Sequence, residues 1–527
     1  MRPAIKSLLV FLAIFVILLL LHLPLLCLPY FWDEAGYYIP AALDFYHSGL
    51  LIPATTLPTG HTPLVPVYLG LVWHLLGCSI WTARAAMALI AAAAVATLYA
   101  LGRRVGTREV AVWSALLLAV SPLFFAQTTL AHLDLTAALF TILAILFLLG
   151  EQFWLFALAA SLAVLSKETA VVLLPVAWLY AGWRRRDPAI RRPALLSIWV
   201  PLLTPLLPLA AWALYYHHAT GFWTGNRDYL SYNLYSTLSV PRVFWSLLRR
   251  AYELFVSGFN WLLTAGAVAG WWWQKHGTRV TGRGVRDTDT GYANPHPGPR
   301  IPYAEFRIPH FAFLTAGLVA VYLLLLSLVG GAILPRYLLP VLPLFYLGTV
   351  LLVMHLPRTP ARIILATALF GFIGAWFTNP PYPFPYEDNL AYADFIRLHE
   401  QAARWLERQP GQPRILTAWP ATDELSKPSL GYVRASLSVV PVPGFAPREF
   451  AGVAPNSFDL VYLYSRRWEP AGNWVARFPA WLRIQGRYFD YHPQVDASVL
   501  IDQYHLRLAA QLELRGQWVQ IYARTSQ

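Results

Sequence analysis

The stretch that decides the class of this protein is residues 7–29, SLLVFLAIFVILLLLHLPLLCLP, near the start of the 527-residue chain. It contains no Asp, Glu, Lys or Arg, and it is long enough to cross roughly 30 Å of hydrocarbon as a helix. The run is too long for the apolar core of a signal peptide, and no small-x-small cleavage site follows it. We therefore expect a retained first transmembrane helix, with Arg2 and Lys6 placing the N-terminus in the cytoplasm.

The composition of the whole chain predicts the same class. Hydrophobic residues make up 57% and charged residues only 13%, whereas ordinary soluble chains carry about 25% charged residues. This excludes a disordered, collagen-like or purely soluble protein. The two cysteines, Cys27 and Cys78, are too few for a disulfide scaffold, and we expect them to be buried free thiols.

Ten further apolar stretches follow the first, so we predict a polytopic α-helical membrane protein with about eleven transmembrane helices. A single helix through residues 152–183 would bury Lys167 and Glu168 at mid-membrane, where charges are costly, so we predict a short hairpin there. The stretches are 82–101, 109–127, 132–149, 152–166, 168–183, 194–216, 257–273, 309–332, 337–355 and 360–378.

The net charge of +13 is explained by topology and needs no nucleic-acid partner. Arginine and lysine cluster in the loops at 103–108, 184–192, 275–307 and 358–362. If the N-terminus is cytoplasmic, all four loops are cytoplasmic too, as the positive-inside rule requires.

The C-terminal part, 379–527, has a different composition and is predicted to be a small extracytoplasmic α/β domain, separate from a transmembrane domain at 1–378. Its hydrophobic runs are too short to span a membrane. Helical spacing extends from Tyr392 to Arg408. Strands are predicted at 414–419, 437–442 and 460–464, and a terminal hairpin at 506–524.

Ionisable residues recur at the predicted outer surface. Asp33 and Glu34 follow the first helix, and they are either an interfacial acid pair or a general base placed where lipid-borne chemistry occurs. His61 lies later in the same loop. Asp134 begins the fourth span, where it either caps the helix or serves a site.

Two cations lie on the side that the positive-inside rule disfavours. Lys167 is at the hairpin turn, where a local ion pair with Glu168 is the structural alternative. Arg336 begins the tenth span, on the outer surface, where its paired N–H donors suit a phosphate. The outer loop 217–258 adds Arg242, Arg249 and Arg250, which either frame a sugar or phosphate or bind anionic headgroups.

These motifs, in this order, resemble the GT-C glycosyltransferases, specifically family 39, which includes the bacterial aminoarabinose transferases and protein O-mannosyltransferases. The resemblance covers about residues 5–378. It rests on Asp33-Glu34, His61-Thr62-Pro63-Leu64, His132-Leu133-Asp134, Ser166-Lys167 and Pro335-Arg336-Tyr337-Leu338-Leu339-Pro340.

The resemblance implies an inverting transferase of the bacterial inner membrane, which moves a hexose or pentose from a polyprenyl-phosphate donor to an extracytoplasmic lipid, glycan or protein. Asp33 would take the proton from the acceptor, and Arg336 and Lys167 would hold the leaving phosphate. Whether a divalent cation takes part is left open. The remaining expected substrate-binding residues are Glu34, His61, Asp134 and Tyr337.

Two other function classes compete with a transferase. A transporter should place ionisable residues near the membrane midplane, whereas these charges gather at one surface. A non-catalytic scaffold that presents the C-terminal domain predicts that Asp33 can be replaced without consequence.

Overall fold

Helices form most of the first 375 residues of the chain. The computed structural model describes residues 3–185, 195–276, 302–450, 452–470, 477–489, 491 and 494–524, so most of the predicted basic residues at 184–192 and 275–307 lie outside it. The helices are α1 (Pro3–His22), α2 (Ile39–Ser48), α3 (Leu64–Leu76), α4 (Ile80–Val105), α5 (Arg108–Val120), α6 (Pro122–Gln127), α7 (Leu133–Leu149), α8 (Phe153–Ser166), α9 (Leu173–Arg184), α10 (Leu195–Leu203), α11 (Leu206–Thr220), α12 (Arg227–Leu230), α13 (Val240–Phe255), α14 (Asn260–His276), α15 (Pro302–Leu328), α16 (Leu342–Val353) and α17 (Arg358–Ala375).

A helix lies over every predicted apolar stretch, but the predicted number of eleven spans is not confirmed. In the described part of the chain, four helical segments are long and apolar enough to cross a membrane, and the bent pair α13–α14 could be a fifth. Two of the other predicted spans are interrupted, because Pro122 starts a new helix after α5 and a 3₁₀ helix, Glu168–Val172, precedes α9. The four segments are Leu8–Leu25, Ile80–Val105, Leu195–Thr220 and Pro309–Leu328.

Side-chain caps and small residues determine how these helices start and pack. The Ser79 hydroxyl accepts from the Thr82 N–H at the start of α4. The Thr107 hydroxyl accepts from the Val110 N–H at the start of α5. Gly270 on α14 lies so close to α16 that a methyl group there would be 2.0 Å from the Leu352 carbonyl oxygen. These contacts hold neighbouring helices at short distances.

The C-terminal part contains a five-stranded mixed sheet, and each predicted strand is confirmed. The strands are β1 (Ile415–Ala418), β2 (Val439–Val442), β3 (Leu460–Tyr464), β4 (Leu506–Leu514) and β5 (Gln517–Arg524), in the spatial order β2-β1-β3-β5-β4. β1 pairs in parallel with β2 and β3, whereas β5 is antiparallel to β3 and β4. The helices of this part are α18 (Ala391–Glu407), α19 (Ala421–Ser426), α20 (Pro447–Phe450), α21 (Pro479–Tyr488) and α22 (Ala497–Tyr504).

The C-terminal part packs directly on the loop that follows α1. The Tyr30 N–H donates to the Leu430 carbonyl at 3.1 Å, and the Tyr432 hydroxyl donates to the Tyr30 carbonyl at 3.1 Å. The rings of Trp32 and Trp419 are 5.6 Å apart in an edge-to-face contact. This packing covers the segment that carries Asp33 and fixes its position.

Candidate active site

Arg336 is the centre of a buried charge cluster. It lies on a 3₁₀ helix, Pro335–Leu338, and its side chain is 1% exposed. It forms ion pairs with Asp33, with Glu387 (Nη1 to Oε2, 2.6 Å) and with Asp134 (Nε to Oδ2, 3.6 Å). Three carboxylates and the surrounding protein therefore enclose the guanidinium.

Asp33 is the most accessible of these three carboxylates. Its side chain is 17% exposed, compared with 2% for Asp134 and 4% for Glu387. It immediately precedes a π-helical turn, Glu34–Tyr38, which directs the chain back towards α2. A molecule that enters from the solvent can therefore reach Asp33 more easily than Asp134 or Glu387.

Lys167 is bound to Asp134 and not to its neighbour in sequence. Its ammonium donates to Asp134 Oδ1 at 2.6 Å and lies 3.9 Å from the centre of the Tyr337 ring. The alternative of a local ion pair with Glu168 is wrong, because Glu168 is paired with His61 instead. Asp134, in the first turn of α7, is paired with both Lys167 and Arg336.

His61 lies beside the cluster and is paired with Glu168. Its Nδ1 is 3.0 Å from a carboxylate oxygen. Although burial opposes ionisation, the imidazole holds the pKa of Glu168 low, at about 2. His61 also borders a cleft whose walls are mostly proline, leucine and aromatic side chains, among them Tyr38, Pro58, Pro63, Leu133, Trp212 and Tyr216.

Glu34 points away from this cluster, which corrects the expectation that it lines the substrate site. It is fully buried, and both carboxylate oxygens accept from Arg84 Nη1, at 2.8 and 3.0 Å. It also accepts from the N–H groups of Phe31 and Ala131, at 2.9 and 2.5 Å. Sequence reasoning missed Arg84, although an arginine inside the apolar helix α4 is itself a signal of a buried acidic partner.

Glu387 is a second residue that sequence reasoning missed. It follows the proline-rich segment after α17, and its backbone carbonyl accepts from Gln127 at 3.2 Å. Burial raises the pKa of its carboxyl group to about 7; Arg336 opposes the shift and the charges of Asp33 and Asp134 reinforce it. The signal available in the sequence was the acid pair Glu387-Asp388 in an otherwise uncharged segment.

His132, which precedes Asp134, completes the surroundings of Arg336. It is buried, and its Nδ1 lies 2.7 Å from the Gln127 side-chain oxygen. Arg336 Nη1 lies 3.1 Å from its other ring nitrogen. Burial, together with the charge of Arg336, holds the pKa of His132 well below its usual range, so the imidazole is neutral near pH 7.

The carboxylates of the site are arranged around an arginine and not around a metal-binding position. The described residues contain no group of three His, Cys, Asp or Glu side chains arranged to hold a metal ion. The carboxylates of Asp33, Asp134 and Glu387 converge instead on Arg336. Cys27 and Cys78 are free but exposed, so the expectation of buried thiols is wrong.

Comparisons with known proteins agree with these observations. Residues 60–212 match the family model for dolichyl-phosphate-mannose-protein mannosyltransferases. This segment contains His61, Asp134 and Lys167, whereas Asp33 and Arg336 lie outside it. No curated protein sequence matches the chain.

Among solved structures, the chain is similar to ArnT from Cupriavidus metallidurans bound to undecaprenyl phosphate, at 13% identity and a TM-score of 0.55 over 98% of both chains. The apo state of that protein (14% identity, 99% and 98% of the two chains, TM-score 0.42) is a weaker match. The Archaeoglobus fulgidus oligosaccharyltransferase in complex with Zn and sulfate is also a weaker match, at 11% identity and a TM-score of 0.41 over 86% of this chain and 67% of that one. The resemblance inferred from the motifs is confirmed: this multi-pass membrane protein has the fold of the GT-C glycosyltransferases, and one segment matches the mannosyltransferase family.

Proposed function

We propose that this protein transfers a sugar, a hexose or a pentose, from a polyprenyl-phosphate donor to an extracytoplasmic acceptor, with inversion at the anomeric carbon. The observation that carries the proposal is the cluster around Arg336, where Asp33, Asp134 and Lys167 meet. These residues come from four distant parts of the chain, which a purely structural ion pair would not require.

The cations of the cluster suit the leaving group. As the sugar–phosphate bond breaks, negative charge develops on the phosphate, and preorganised cations stabilise that charge best in a site that excludes water. Arg336 offers paired N–H donors of the geometry that phosphate accepts. Lys167, held over the Tyr337 ring at 3.9 Å, adds a second charge nearby.

Asp33 suits the role of general base. The acceptor hydroxyl would attack the anomeric carbon on the face opposite the phosphate, and the new C–O bond forms as the bond to the phosphate oxygen breaks. The hydroxyl proton passes to Asp33, and the phosphate leaves with the bonding electrons. Its 17% exposure makes Asp33 the carboxylate that an acceptor can reach.

Two observations support a polyprenyl-phosphate donor. The solved ArnT structure with this fold is bound to undecaprenyl phosphate, and the cleft beside His61 is walled mostly by apolar side chains. With a cytoplasmic N-terminus, the positive-inside pattern puts this site on the outer face of the bacterial inner membrane. The acceptor would approach from that side, next to the C-terminal part.

The test is Asp33→Asn in cells, followed by mass spectrometry of extracytoplasmic glycans, lipids and proteins. We expect the sugar-modified product to fall about 100-fold or more, which is the usual loss when a general base is removed. Asp459→Asn, which removes an exposed acid paired with Arg414, is the matched control and should keep full activity. Unchanged product in Asp33→Asn at equal expression would overturn the assignment and favour the scaffold alternative.

A further inference from the structure

Arg250 is a buried cation with an incomplete set of partners. It lies on the inner face of α13, and none of its surface is exposed. Its Nε donates to the Leu326 carbonyl at 3.1 Å, but within the described chain neither Nη atom has a hydrogen-bond partner. A buried charge normally has to be paired and hydrogen-bonded, so the two free Nη groups mark a place for an anion.

The other arginines of α13 show the contrast. Arg249 forms an ion pair with Glu253 at 2.9 Å, and it is partly exposed. Arg242 is buried but donates to three backbone carbonyls, those of Tyr488, Gly330 and Gly331. Arg242 has one Nη atom without a partner among the described residues, whereas Arg250 has two, so both terminal nitrogens of Arg250 are free to bind a ligand.

Arg250 faces the same aromatic ring as the two cations of the candidate active site. The Tyr337 ring centre lies 3.9 Å from the Lys167 ammonium, 5.4 Å from the Arg336 guanidinium carbon and 5.8 Å from that of Arg250. Lys167 and Arg336 are each engaged by carboxylates. Among the described carboxylates, none forms an ion pair with Arg250.

We propose that Arg250 binds the phosphate group of the lipid-linked donor, through its two Nη atoms. A guanidinium with two free, adjacent donors matches two oxygens of one phosphate. An anion that reaches the Tyr337 ring would find Arg250 available without displacing a carboxylate, whereas Arg336 and Lys167 must each exchange a partner. The inference rests on the proposed function, because it assigns a ligand residue to the same site.

The test measures binding of farnesyl phosphate to the purified full-length protein in detergent by isothermal titration calorimetry, with farnesol as the uncharged probe. We expect Arg250→Gln to weaken farnesyl phosphate binding about tenfold or more and to leave farnesol binding unchanged. Arg404→Gln removes an exposed charge that is paired with Glu400 on α18, so this control should change binding less than about twofold.

A second variant separates ligand binding from folding. Arg250→Met keeps the length of the side chain but removes an unpaired buried charge, so the ligand-free protein should unfold at the same or a higher temperature. The same variant should lose the thermal shift that farnesyl phosphate produces in the unchanged protein. A purely structural Arg250 predicts the opposite, a lower unfolding temperature with the shift retained.

The remaining outcomes are distinguishable. If the unchanged protein binds farnesyl phosphate and both Arg250 variants bind it equally well, this inference is overturned and the proposed function stands. If the unchanged protein binds no farnesyl phosphate, the donor class of the proposed function fails as well. Binding of inorganic phosphate that depends on Arg250 but equals that of farnesyl phosphate would overturn the assignment to a lipid-linked phosphate.

Discussion

Glu387 controls how much of the Arg336 charge is available to a phosphate, because its carboxylate is bound to the guanidinium at 2.6 Å. With its pKa raised to about 7, it is mostly protonated, and so uncharged, below that pH. We predict that Glu387→Gln strengthens farnesyl phosphate binding roughly tenfold at about pH 8 and has little effect at about pH 6. Titration calorimetry at both pH values checks this.

At each pH, the dissociation constant of the variant for farnesyl phosphate is divided by that of the unchanged protein. This ratio is needed because farnesyl phosphate itself also titrates in this range. An equal ratio at both pH values would show that the charge of Glu387 does not compete with the phosphate.

Glu34 and Arg84 form a buried ion pair that joins the loop after α1 to helix α4. Removing one member leaves the other charge buried and unpaired, which typically costs about 3–5 kcal/mol. We predict that Glu34→Gln lowers the free energy of unfolding by that amount, measured by denaturation in detergent. Glu109→Gln removes an exposed partner of Arg362 and should cost less than about 1 kcal/mol.

A Glu34→Gln variant that is as stable as Glu109→Gln but has lost sugar transfer would restore the sequence-based expectation that Glu34 contacts the substrate.

At the scale of elements, the π-helical turn Glu34–Tyr38 is held in place by the C-terminal part. A methyl group on Gly36 would lie 2.6 Å from Nε1 of the Trp419 ring, which also packs on Trp32. We predict that Gly36→Ala displaces Trp419, lowers stability by about 1–3 kcal/mol and reduces sugar transfer, because Asp33 immediately precedes this turn. Thermal unfolding and product analysis measure both effects.

Gly182→Ala is the matched control, since nothing lies within 4 Å of the added methyl group in α9. It should be neutral or slightly stabilising, as alanine favours helix more than glycine does. Equal behaviour of the two variants would mean that the contact between Trp419 and the turn is unimportant.

At the scale of the whole molecule, the topology predicts that the C-terminal part and the first residues of α17 lie on opposite sides of the membrane. After Cys27→Ser and Cys78→Ser remove the two exposed thiols, we introduce Asp459→Cys or Arg362→Cys, both at exposed positions. A membrane-impermeant maleimide should label the first in intact spheroplasts and the second only after permeabilisation. The reverse pattern would place the site in the cytoplasm.

The features that could be predicted from the sequence are those that depend on a few neighbouring residues. Leu460–Tyr464 was predicted and observed with the same limits, because alternating and buried strands depend on a few adjacent residues. The number of spans was not predictable in the same way. Breaks such as the one at Pro122, and the 80° bend between α13 and α14, depend on packing as well as on hydropathy.

The sequence by itself determined the membrane class, the helices, the strands and the order of the ionisable motifs, because hydropathy and backbone preferences act between near neighbours. Only the tertiary structure decided which charges meet. Arg336 pairs with acids 303 and 51 positions away, and Lys167 with one 33 positions away. In a low-dielectric interior each charge must find a partner, and that partner is chosen by the fold and not by distance along the chain.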